Sequence, residues 1–164
     1  MKIILIGLTA AIISAVSFAM NHGHNMDHGD QQIQFKRIES NGITLSNFQA
    51  RASVGSTKNS GIYGEIRSME ADRLISISSS LAAVAELHEH INDNGVMRMR
   101  EVEDGLAINP GQPMSMKPGG FHIMLVRLHK RLIAGKFIDL TLEFESGKIL
   151  DISVPIVPIK KMHH

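Results

Sequence analysis

Two histidines and two methionines stand close together in one stretch: His88, then Met99, then His122-Ile123-Met124. Imidazole plus thioether, without thiolate, is the ligand set of a soft monovalent ion, above all Cu(I). Cu(I) has a filled d shell and accepts three or four such donors. Zn(II) would accept the histidines but rarely takes methionine. A blue-copper electron-transfer centre needs a cysteine thiolate, and the chain has no cysteine. The donor set therefore points to carriage of copper and away from redox turnover.

Strands explain how these residues could meet. Residues i and i+2 of a strand share a face, so His122 and Met124 project together. His88 and Met99 lie on two arms joined by Asn92-Asp93-Asn94-Gly95, a strong hairpin turn. His88 lies further from the turn than Met99, so a direct pairing of the two requires a bulge or loop. The four ligands would come from two hairpin-like units at one edge of a sandwich. His90 shares a face with His88 and is an accessory ligand candidate, with a solvated histidine the equal alternative. Met69, Met97, Met114 and Met116 are expected to be packing residues, with at most one of Met97 and Met99 facing a metal. His129 has no partner pattern and is assigned to the surface.

The elements that must hold this site are β-type runs separated by turn residues. They include Ile43–Phe48, Gly61–Ile66, Leu74–Ser78, Val84–His90, Val96–Val102, Leu106–Gln112, Met114–Met116 and Phe121–Leu128. The glycines of Gly61–Ile66 suggest close packing or a bulge. The clearest pair is last: Ile138, Leu140, Leu142 and Phe144 alternate with polar residues. Glu145–Lys148 then turns the chain, and Leu150, Ile152 and Val154 alternate again. Helix signals are confined to Ala82–Glu86 and His129–Ala134, a turn each. The pattern predicts an all-β antiparallel β-sandwich.

The 164 residues open with Lys2, an apolar run over Ile3–Val16 and a small-x-small site at Ser17-Phe18-Ala19. These are the parts of a secretory signal cleaved after about Ala19. With no cysteine after the apolar run, a lipid anchor is not expected. Residues 1–19 are thus read as the signal peptide and 20–32 as a His/Met-rich flexible tail. The sandwich domain then spans 33–158, and 159–164 form a short C-terminal tail. Cleavage there would place Met20-Asn21-His22 at the N-terminus, where an amine, two amides and an imidazole form a square-planar candidate site for Cu(II) or Ni(II). A net charge of +1 with no basic block argues against nucleic acid, and no stable membrane insertion is expected after cleavage. No disulfide is available, so packing alone must stabilise the domain. Ten methionines and nine histidines are the compositional anomaly.

The residues from Ile38 to Val157 resemble the periplasmic copper chaperones of the PCu(A)C family. The likeness lies in Ala85-Glu-Leu-His88-Glu, Gly95-Val-Met-Arg-Met99-Arg and Lys117-Pro-Gly-Gly-Phe-His122-Ile-Met124-Leu. The family pattern is His, ten residues, Met, about twenty-one residues, then His-x-Met; this chain has one residue more in the second gap. Family members often carry Met two residues after the first His, where this chain has His90. The resemblance implies a cupredoxin-like Greek-key fold and one Cu(I) held by His88, Met99, His122 and Met124. It also implies periplasmic delivery of copper, for example to the copper-A centre of cytochrome c oxidase subunit II. The competing readings are a periplasmic copper-buffering or resistance protein without a dedicated acceptor, and an interaction module whose methionines are core. An enzyme is disfavoured, since no nucleophile–base arrangement or hydrolytic carboxylate–His cluster is evident.

Overall fold

A computed structural model of the chain describes residues 35–159. The expected signal peptide, the His/Met-rich tail with Met20-Asn21-His22, and all but Ile159 of the expected C-terminal tail lie outside these residues. Eleven strands follow in order: β1 (Ile38–Ser40), β2 (Ile43–Arg51), β3 (Ser60–Ser68), β4 (Asp72–Ser78), β5 (Ala82–Asp93), β6 (Val96–Glu101), β7 (Leu106–Ile108), β8 (Met114–Met116), β9 (His122–Leu128), β10 (Phe137–Phe144) and β11 (Ile149–Val157). Their spatial order is β6-β5-β9-β3-β2-β11-β10-β4-β7, with β1 beside β2 and β8 beside β3. The strands pair antiparallel except β11 with β2, a short parallel contact at Ile156–Ala50 and Val157–Arg51. This is the expected cupredoxin-like β-sandwich, with that one parallel seam as the departure from a purely antiparallel plan.

Alternation along each strand builds the core. In β10 and β11, Ile138 faces Val154, Leu140 faces Ile152 and Leu142 faces Leu150. All six are buried and join Leu45, Phe48, Ile66, Ile123 and Leu125 in one apolar cluster. The register of β2 against β3 shifts between Ser46 and Gln49, with Asn47 at a φ of 57°, a left-handed value asparagine tolerates. Next to this bulge, Phe48 packs over Gly64: a Cβ there would lie 2.5 Å from the ring. Of the two glycines in that run, Gly64 therefore serves close packing.

The expected helical turns do not form. Ala82–Glu86 lies within β5, where pairing to β9 overrides the weak local preference of Ala and Glu. His129–Ala134 is an irregular connection. Among the described residues no helix is long and apolar enough to cross a membrane.

Candidate metal centre

The site is built by three neighbouring strands, β6, β5 and β9. Asp93 pairs with Val96 across a two-residue loop, and Asn94 and Gly95 have φ values of 53° and 88°. Two successive left-handed residues make a type I′ turn, whose twist matches that of the flanking strands. The Gly95 amide also donates to Asn92 Oδ1 at 2.7 Å. Register then follows outward from the turn: His90 faces Met99, and His88 faces Glu101. On the other side of β5, His88 faces His122 and Glu86 faces Met124. Paired residues share a face, so Glu86, His88, His90, Met99, His122 and Met124 lie together on one face. Leu87 and Ile123, which alternate with them, point into the core.

Several expectations are revised by this register. No bulge brings His88 opposite Met99; the pair is diagonal, and β5 and β6 run without a shift. His90, read as accessory, is the direct partner of Met99, and its ring stacks on His122 with centroids 4.9 Å apart. Met97 and Met99, two residues apart on one strand, share a face. Met97 is 58% exposed and Met69 80% exposed, so neither is a packing residue, whereas Met116 is buried and Met114 partly so. His129 is exposed, as expected.

The imidazoles are held from behind. His122 is buried, with His88 at 5.9 Å and Tyr63 at 6.1 Å between ring centroids. Tyr63 can lie there because Gly61 offers no side chain; a Cβ would come within 3.0 Å of its hydroxyl. His122 Nδ1–H donates to the Gly120 carbonyl at 3.1 Å, since a carbonyl can only accept. That leaves Nε2 with its lone pair. His88 Nε2–H donates to Glu86 Oε2 at 2.9 Å, which leaves Nδ1 as the lone-pair nitrogen. Among the described residues, His88 Nδ1 is the sole buried side-chain nitrogen or oxygen without a partner. His90 donates its backbone N–H to the Gly120 carbonyl at 3.3 Å.

Burial depresses the basicity of His122; its bond to Gly120 opposes this, while His90 and His88 add to the depression. A neutral imidazole is the form a metal requires. Among the described residues no three His, Asp or Glu side chains converge on a metal-holding geometry, so the imidazoles need other donors to complete a shell. Met99, opposite His90, and Met124, two residues after His122, are the thioethers beside them on the same face, while Met97, opposite Asn92, lies further out. The donor chemistry, with its unpartnered buried nitrogen, fits a soft cation. Sequence reasoning missed Glu86, Tyr63 and Gly120. For Glu86 the signal was present, as it stands two residues before His88.

A family model described as "Putative lipoprotein LpqE-like" matches residues 43–156. The chain belongs to the LpqE-like family. A relative from Leifsonia xyli subsp. xyli, described as "Putative lipoprotein Lxx21020", is 31% identical over 153 residues, 93% of this chain and 84% of that protein. Both descriptions say lipoprotein, whereas no cysteine occurs among the 164 residues of this LpqE-like chain. Its fold is that of the PCuAC domains, as the sequence resemblance implied. The copper-bound PCuAC domain from PmoF2 superposes with a TM-score of 0.62 at 21% identity, covering 75% of this chain and 98% of that one. The solution structure of CuI-DR1885 from Deinococcus radiodurans gives 0.58 at 19% identity, covering 83% and 87%.

Proposed function

We propose that this LpqE-like protein is an exported, non-enzymatic carrier of Cu(I), which is its cargo. The ion would be held by His88, Met99, His122 and Met124, with His90 as a neighbour able to join them. One observation carries the reading: His88 and His122 face each other across β5 and β9, each with one ring nitrogen left without a protein partner, on a sheet face that also bears Met99 and Met124. The copper-bound state of a PCuAC domain and the CuI form of DR1885 support it by analogy of fold. The lipoprotein descriptions of the relatives support export; the periplasm is the compartment we propose.

Delivery is favoured over storage by the position of Met99, which is 47% exposed while His122 is 2% exposed. An acceptor's own soft ligand can reach the ion from the Met99 side while the imidazoles retain it. The copper-A centre of cytochrome c oxidase subunit II is the acceptor we propose. A Cu(I) competition titration against a chromophoric chelator tests the site in wild type, His88→Ala and Met124→Leu. Tight one-to-one binding in wild type and loss in both variants is expected; equal binding in all three would refute it.

A further inference from the structure

We infer that Glu86 is a positioning residue for His88, fixing Nδ1 as the nitrogen presented to the metal. This rests on the copper-carrier reading above. Glu86 lies two residues before His88 on β5, shares its face, and stands opposite Met124. Its Oε2 is 2.9 Å from His88 Nε2, and the two side chains are only 29% and 16% exposed. A carboxylate accepts, so the proton sits on Nε2. A proton on Nδ1 would be a buried donor with nothing to receive it, which is costly.

The two facing imidazoles are therefore oriented by different devices. His122 is held through Nδ1 by a neutral carbonyl, and His88 through Nε2 by a carboxylate. A carboxylate behind an imidazole fixes its tautomer and ring orientation and raises its basicity as a ligand. Glu86 itself is a poor direct ligand, because carboxylate oxygen is hard and Cu(I) is soft, and its Oε2 is already engaged by Nε2–H. Removing it frees the His88 ring to rotate and weakens the donor. Loss of such an outer partner lowers metal affinity roughly 10–100-fold.

The test uses copper-free and Cu(I)-titrated full chain. In the copper-free state, nitrogen-resolved NMR is expected to show a slowly exchanging proton on His88 Nε2 in wild type and Glu86→Gln, lost in Glu86→Ala. Cu(I) competition is expected to weaken roughly 10–100-fold in Glu86→Ala and to recover most of that in Glu86→Gln, whose amide oxygen still accepts. If Glu86→Ala keeps both the proton signal and the affinity while His88→Ala loses copper, the positioning role is overturned. If Glu86→Gln falls as far as Glu86→Ala, the carboxylate acts by charge or direct ligation, and the inference is equally overturned. Undiminished Cu(I) binding by His88→Ala would overturn the copper reading and the coordination half of this inference; the proton signal decides the positioning half separately.

Discussion

Asp72 provides the sharpest test of how the frame around the site is held. It opens β4, and its carboxylate is almost wholly enclosed, the side chain being 1% exposed. It accepts from the Arg73 amide at 2.8 Å, the Ser146 amide at 3.1 Å and the Ser146 hydroxyl at 2.6 Å, with Lys148 Nζ at 3.6 Å. One side chain thus ties β4 to the turn between β10 and β11. In Asp72→Asn the amide keeps one accepting oxygen but turns an NH2 toward donors. A hydrogen bond to a charged group contributes about 1.5–3 kcal/mol. Ser146 is exposed and can turn to water, and the partly exposed Lys148 adds under about 1 kcal/mol. The expected loss is therefore about 2–3 kcal/mol near neutral pH, or roughly 8–12 °C in Tm for a domain of this size. The pH dependence has a definite sign. Burial alone would raise the pKa of Asp72, but the bonds from Ser146 and Arg73, with Lys148 nearby, outweigh it and hold the carboxyl below its ordinary value. The stabilisation is then full above the unfolded value of about 3.9 and is lost as pH falls through the lower folded value. Urea unfolding of wild type and Asp72→Asn from pH 7 to pH 3 should show a constant gap down to about pH 5 that closes below about pH 4. A gap that stays constant to pH 3, or never exceeds about 0.5 kcal/mol, would refute the reasoning.

Three further outcomes are expected. Gly64→Ala puts a Cβ 2.5 Å from the buried Phe48 ring; overpacking should destabilise by about 1–3 kcal/mol, and Phe48→Leu in the same chain should relieve part of that loss in urea melts. Free Cu(I) at one hundred times its Kd should raise stability by about 2.7 kcal/mol, and calorimetry should find no such rise in the combined variant His88→Ala, His122→Ala. Met99→Leu should weaken Cu(I) competition roughly tenfold, about 1.4 kcal/mol, while Met97→Leu, opposite Asn92 and further from the imidazoles, should stay close to wild type; the reverse ranking would misplace the site.

Strands such as β10 were legible because they bury one face. The alternation of Ile138, Leu140, Leu142 and Phe144 predicts β10 correctly, as period two cannot be mistaken for a helical stripe there. Ala82–Glu86 was ambiguous because its pairing with β9, not its own residues, decides its conformation. The ligand types were legible from chemistry alone, but their pairing was not. Counting outward from Asn94-Gly95 as a two-residue loop would have placed His90 opposite Met99; treating the turn as four residues hid that register. The contact of His88 with His122 joins strands whose order in the sheet no local pattern states. Tyr63 comes from β3, two strands from β5, and could be assigned to the site only once the fold was known.

The exposed strand β6 has one further consequence. All six of its residues are exposed and, among the described residues, it pairs with β5 alone, so Met99 sits on the outermost rung of the ladder. Edge segments with few buried contacts open at far lower free energy than the whole domain. For the proposed cargo this separates retention from turnover. The imidazoles, anchored beside the core, govern how tightly the ion is kept. The hairpin arm governs how fast it can leave, through breathing on a timescale far shorter than unfolding. Mutations in β6 other than at Met99 should therefore alter dissociation rates more than equilibrium affinity, which makes this strand the place where an exchange rate can be tuned without weakening the fold.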